Sequence, residues 1–374
     1  MGVYEELGVK RVINAWGPMT VIGGSRMRPE VLDAIAEAGR AFVNLDELQR
    51  KAGARIASLI GVDGCYICSG CAAGLAIATA AIVAGLDPGK IDRLPNTHGM
   101  KHEVVVQRAH RNGYDHAVRQ VGVKLVEIGG GRGSQRWEME QAINENTAAV
   151  FHTYARWTFD LPLKLPEVVE IAHARQVPVI VDAAAEVPPL KNLKALSATG
   201  ADVVVFSGGK GLRGPQPTGL ILAGGEIIKA CAANGNPNHS VGRPMKVGKE
   251  EMAGLVKAIE LYLAQDHDAV YEQWRRQLSE IEKSLAGIPG VTTERTEAAY
   301  SEGIPATKIL IDEDVAGVSA ASVGAALEAG DPSVRVGVGS SSLTVIPQFL
   351  EKGEESLVAS RLVQALRVPV GAGR

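Results

Sequence analysis

What this chain lacks narrows its class first. No stretch is long and apolar enough to span a membrane, and the opening Met1-Gly-Val-Tyr-Glu-Glu6 has no basic segment followed by an apolar run. A soluble, cytoplasmic protein with no membrane partner is the expectation. Long Lys/Arg runs are also missing. With 39 Lys and Arg against 42 Asp and Glu, the formal net charge is -3, which gives no global attraction to a polyanion. Nucleic acid is therefore not an expected partner. Cysteine is scarce: Cys65, Cys68, Cys71 and Cys231 are the 4 present. Cys65-x-x-Cys68 would suit zinc or redox chemistry, but no second pair or nearby histidine completes a site. Small thiols in a Gly/Ala-rich turn are the reading, and no metal is expected. Internal repeats and low-complexity segments are absent as well.

What is present is a chain of 374 residues, 46% hydrophobic and 22% charged, long enough for two packed domains. Helical patterns near residues 29–40, 46–60 and 71–85 precede a series of short apolar runs. These are Glu103-Val-Val-Val-Gln107, Lys124-Leu-Val-Glu-Ile128, Ala148-Ala-Val-Phe-His152, Val177-Pro-Val-Ile-Val181, Asp202-Val-Val-Val-Phe206 and Gly219-Leu-Ile-Leu-Ala223. β-rich runs alternating with helices predict an α/β fold with a mostly parallel sheet covered on both faces. After Met245 the texture changes. One long helix is predicted from about Gly248 to Leu285, then strands around 307–312 and 333–336 and a helix from Lys352 to Leu366. The expected organisation is an N-terminal segment (1–28), a large domain (29–245), and an interdomain helix with a smaller C-terminal α+β domain (246–374).

The segment Asp202-Val-Val-Val-Phe-Ser-Gly-Gly-Lys-Gly-Leu-Arg-Gly-Pro-Gln216 carries the most chemistry. Its strand ends in Ser207-Gly208-Gly209, a tight turn at the carboxyl edge of the sheet, where α/β enzymes place ligands. Lys210 stands at that lip. Taken alone it reads equally as a solvated loop lysine. Upstream, Val177-Pro-Val-Ile-Val-Asp182 is a second buried strand, and it ends in a carboxylate. Pyridoxal 5'-phosphate needs a lysine for its Schiff base and an acid beside its pyridine nitrogen, so that the ring accepts carbanion electrons. It also needs a phosphate anchor. Ser69, Gly70 and Cys71, just before an Ala-rich helix, offer small side chains and free amides at a positive helix end. A plain helix N-cap is the other reading of that turn. Ser207 adds a hydroxyl near Lys210.

These segments together resemble the fold-type I pyridoxal-phosphate enzymes of the selenocysteine synthase-like group, nearest its D-glucosaminate-6-phosphate ammonia-lyase branch. The likeness is carried by Arg11-Val-Ile-Asn-Ala-Trp-Gly17, Cys68-Ser-Gly-Cys-Ala-Ala-Gly74, Val106-Gln-Arg-Ala-His-Arg-Asn-Gly-Tyr-Asp115, Val181-Asp-Ala-Ala-Ala-Glu186, Ser207-Gly-Gly-Lys-Gly-Leu-Arg-Gly-Pro-Gln216 and Gly242-Arg-Pro-Met-Lys-Val-Gly-Lys249. The resemblance implies that His110 stacks on the cofactor ring and that Arg243 and Lys246 reach a partner's phosphate or substrate. It implies further that Arg335 grips a substrate carboxylate, with Asn14, Trp16 and Tyr154 lining the site. Active sites of this fold sit at dimer interfaces, so a homodimer or higher homo-oligomer is expected.

The implied reaction is α-proton removal by Lys210 and α,β-elimination, giving a 2-oxo acid and ammonia from an amino acid or amino sugar acid. Racemisation or epimerisation, and retro-aldol cleavage, would use the same scaffold. Tyr114, Tyr154, Glu186 and His98 are the candidates for the acid at the β-carbon. Selenium transfer to seryl-tRNA is disfavoured, since the shared motifs begin by Arg11 and basic clusters are missing. A non-catalytic cofactor-binding protein is a further alternative, which intact Lys210 and Asp182 oppose. A dinucleotide site at Gly129-Gly-Gly-Arg-Gly133 lacks the required spacing and downstream acid.

Overall fold

The computed structural model describes residues 2–131, 133–160 and 163–367. Among them the strands are, in chain order, β1 (Val12–Asn14), β2 (Cys65–Cys68), β3 (Glu103–Gln107), β4 (Lys124–Ile128), β5 (Thr147–Thr153), β6 (Val179–Asp182), β7 (Val203–Ser207), β8 (Gly219–Ala223), β9 (Val291–Glu297), β10 (Pro305–Ile311), β11 (Ser333–Arg335), β12 (Gly337–Val338) and β13 (Ser342–Val345). The chain divides into two compact units, residues 27–264 and residues 1–26 with 265–374.

The larger unit is built on a seven-stranded sheet in the order β2-β8-β7-β6-β5-β3-β4. Strand β8 is antiparallel to both neighbours, and the remaining pairs are parallel. Val104-Val-Val106, Val203-Val-Val205 and Leu220-Ile-Leu222 are apolar at every position and fully buried. A strand covered on both faces requires continuous apolar character where a half-exposed strand would alternate. One face buries Val105, Val150, Val181, Val204 and Phe206. The other buries Val104, Val106, Phe151, Ile180 and Val205, together with the helix Cys71–Ala84. That helix is rich in Ala and carries no polar stripe, as an enclosed helix must be.

In the smaller unit β9, β10, β12 and β13 form an antiparallel sheet in the order β12-β13-β10-β9, and β1 pairs in parallel with β11. Ile13, Leu278, Ile281, Ile309, Val334, Leu343 and Leu362 share its core. The helices His267–Leu285 and Glu354–Arg367 close it.

The long helix expected over 248–285 is two helices. Asp266 accepts from the amide of Ala269 at 2.9 Å and caps a new start, ending Lys249–Ala264 and opening His267–Leu285. The first packs on the helices Pro29–Ala38 and Leu45–Ile60 in the larger unit, and the second belongs to the smaller one. Among the described residues no helix is long and apolar enough to cross a membrane.

Candidate active site

Strands β6 and β7 are parallel neighbours, with Asp182 opposite Val205. Their pairing continues past the strand ends, where Ala183 N donates to Val205 O at 2.9 Å and Ser207 N to Ala184 O at 3.3 Å. Asp182 and Ser207 are thereby fixed side by side at the carboxyl edge of the sheet. The chain then turns through Gly208 and Gly209 to Lys210. A side chain at Gly209 would lie 2.4 Å from the Gln216 Cα, and one at Gly211 would lie 1.8 Å from the Val187 carbonyl oxygen. Both glycines are thus demanded by close backbone approach. Arg213 N to Lys210 O at 2.9 Å and Gly214 N to Gly208 O at 2.9 Å complete the turn, leaving the half-buried Lys210 on a rigid support.

Asp182 is buried, and burial pushes its carboxyl above the usual range. Three groups oppose that shift: the Ala184 amide, 3.0 Å from Oδ1; the charge of Lys210; and the Cys71 thiol, which donates to Oδ1 at 3.4 Å. Lys210 also acts on Cys71, whose thiol is raised well above its ordinary value by burial first and then by the charge of Asp182. Lys210, Asp182 and Cys71 therefore form one electrostatic cluster.

Ser69 and Gly70 lie just ahead of the helix Cys71–Ala84, whose N-cap, Gly70, supplies no side-chain acceptor. The first helical amides therefore have no capping group and carry the positive end of the helix. Gly70 has φ +99°, and the space where its Cβ would stand is open to 4 Å. An uncapped helix end with a clear approach, beside a buried carboxylate and a lysine, matches a ligand bearing a phosphate at one end and a basic ring nitrogen at the other. These residues fit pyridoxal 5'-phosphate.

The other sequence-selected residues separate into groups. His110 differs from the expectation: a stacking ring needs an open face, and this ring is fully buried. Its Nδ1 accepts from the Thr153 amide at 3.1 Å, and it meets His152 edge-on at 4.4 Å between centroids. Burial lowers its pKa to about 4. His98 precedes β3 and so lies at the amino edge of the parallel strands, opposite the edge that carries Asp182. Tyr154 and the buried Glu186 follow β5 and β6 at the carboxyl edge, with Tyr154 N donating to Asp182 O at 2.9 Å. Tyr114 follows β3 on the same edge and is exposed. Arg243 donates from Nη1 to Asn236 Oδ1 at 3.1 Å, and Lys246 is exposed.

Asn14 and Arg335, taken from opposite ends of the chain, are register partners in the β1–β11 pair of the smaller unit. Asn14 holds the local turn, donating to Gly17 O at 2.8 Å and accepting from the Trp16 and Gly17 amides at 3.0 Å each. Arg335 donates from Nη1 to Glu328 at 2.6 Å and pairs with the same carboxylate through Nη2. Sequence reasoning missed Glu328, and nothing local marks it. It also missed the reach of the Cys71 thiol to Asp182, although Cys71's position at the first turn of a helix was a usable signal.

A mostly parallel seven-stranded sheet with one antiparallel strand, and a lysine leaving the strand beside a carboxylate-bearing neighbour, defines a fold-type I pyridoxal-phosphate enzyme. More narrowly, the chain belongs to the SelA family, L-seryl-tRNA selenium transferase, whose model matches residues 12–286. It is 33% identical to a D-glucosaminate-6-phosphate ammonia lyase of Salmonella typhimurium, over 96% of each chain. It is 32% identical to a 5'-C-glycyluridine monooxygenase-decarboxylase of a Streptomyces species, covering 97% of this chain and 92% of that protein. The solved structure of a D-glucosaminate-6-phosphate ammonia-lyase superposes with a TM-score of 0.87 at 32% identity, covering 98% of both chains. A cysteine desulfurase of Escherichia coli, at 16% identity and a TM-score of 0.59, shares the fold alone.

Proposed function

We propose that this chain is an ammonia-lyase that uses pyridoxal 5'-phosphate to convert a β-hydroxylated amino acid or amino sugar acid into a 2-oxo acid and ammonia. One observation carries the reading: Lys210 and Asp182 leave adjacent strands of one sheet, within each other's field, in a chain whose full-length relatives include an ammonia lyase. When bound, the cofactor supplies an electron sink for the carbanion formed at the substrate α-carbon. Lys210 would hold the cofactor through Nζ, and its free amine would take the α-proton. Asp182 would hold a proton on the cofactor's ring nitrogen. The amides of Gly70 and Cys71, with the Ser69 and Ser207 hydroxyls, receive the phosphate. Arg335 grips the substrate carboxylate, and Asn14 shapes the turn beside it. An acid at the carboxyl edge, Tyr154, Glu186 or Tyr114, protonates the leaving β-hydroxyl as water. The resulting enamine then takes up water and releases ammonia. The enzyme acts in the cytoplasm as a homodimer or higher homo-oligomer, in which Arg243 and Lys246 serve the neighbour's site.

The near-equal likeness to a monooxygenase-decarboxylase favours a second reading, oxidative decarboxylation of an amino acid side group. Purified enzyme is to be screened without oxygen against D- and L-β-hydroxy amino acids and phosphorylated amino sugar acids, with ammonia and 2-oxo acid as readouts. Anaerobic ammonia release is the result expected. Turnover only in oxygen, with CO2 released, would establish the second reading, and inversion of the α-carbon without ammonia would establish a racemase.

A further inference from the structure

Cys71 occupies a position where an alanine would fill the same small space. Its amide belongs to the phosphate-binding turn, while its side chain points elsewhere, onto Asp182. The thiol has one proton and two acceptors in reach, Asp182 Oδ1 at 3.4 Å and the Val205 carbonyl at 3.7 Å. The carboxylate is both nearer and charged, and charge-assisted hydrogen bonds are the stronger kind. Oδ1 thus takes two donors, the Ala184 amide at 3.0 Å and the Cys71 thiol. Among the described residues no donor holds Oδ2. We propose that Cys71 is a positioning residue for Asp182, spending its thiol proton on Oδ1 so that Oδ2 is kept for the cofactor's ring nitrogen. One residue then links the two ends of the cofactor site, its backbone serving the phosphate and its side chain the acid.

The burial of Asp182 gives the contact its consequence. Burial favours the neutral acid, which would draw the proton off the ring nitrogen and weaken the electron sink. Each donor to Oδ1 stabilises the carboxylate and returns that proton to the ring. Removing the thiol therefore slows proton abstraction without altering how substrate is held, a loss in kcat and not in KM.

The inference rests on Asp182 serving the cofactor, so two tests are separated. In the cofactor-free chain, thiol reagent and peptide mapping follow Cys71 alone, while the buried Cys65, Cys68 and Cys231 report that the fold is intact. Asp182→Asn removes the charge that opposes thiolate formation, and modification of Cys71 should quicken by about tenfold or more. An unchanged rate would overturn the contact, whatever the enzyme's reaction. In the loaded enzyme, Cys71→Ala should lower kcat about tenfold at unchanged KM, a small effect for a bond to a charged group because a thiol is a weak donor. Cys71→Ser, which keeps a donor, should return kcat to within about threefold of the parent. An alanine variant as fast as the parent, or a serine variant as slow as alanine, would overturn the positioning role while leaving the function assigned to Lys210 untouched.

Discussion

Two buried polar clusters stand at the carboxyl edge of the same sheet, and burial is met differently in each. Asp182, buried at the end of β6, keeps company with Lys210, the Ala184 amide and the Cys71 thiol. His110, just after β3, and His152, in β5, meet edge-on with the Thr153 amide and the Gln107 side-chain amide at the His110 ring, and burial drives both pKa values down. Desolvation acts on both clusters, disfavouring charge in each. Only the first is given an opposite charge and donors to offset it. Compensation for burial is thus supplied at Asp182 and not at the two imidazoles.

Substitutions can break this contrast in order of expected effect. Lys210→Ala removes both the attachment point and the base, and should lower kcat/KM by about 10³-fold or more, measured by ammonia release. Residual activity near that of the parent would erase the difference between the clusters. Gly211→Ala places a methyl group 1.8 Å from the Val187 carbonyl oxygen. It should destabilise the enzyme by about 1–3 kcal/mol in chemical unfolding and loosen the lysine turn. The smallest effect belongs to the histidines. The folded His110 titrates near 4 instead of 6.5, so between those values the unfolded chain binds the proton that the folded chain refuses. Stability should fall as pH drops from 6.5 towards 4, and His110→Gln should reduce that slope by about one proton while leaving kcat within about threefold. A variant with the parent's slope would mean that the imidazole is charged in the fold and that the two clusters are alike.

The parallel core was legible because strands buried on both faces must be apolar throughout, and Val104-Val-Val106 and Val203-Val-Val205 state that directly. The Lys210 turn and Asp182 were legible for a related reason, since each follows such a run at once. Strand β2 was hidden in Cys65-Tyr-Ile-Cys68, too short to show a period. The helix break at Asp266 had a signal, a capping residue amid a helical pattern, which the continuous amphipathic texture on either side masked. The burial of His110 and the pairing of Asn14 with Arg335 are products of tertiary packing, and nothing beside either residue encodes them.

The central claim is that Lys210 carries the cofactor. Reduction of the loaded enzyme with borohydride, followed by peptide mass mapping, tests it most directly. A phosphopyridoxyl adduct on Lys210 is the predicted result. An adduct on another lysine, or none, would contradict it.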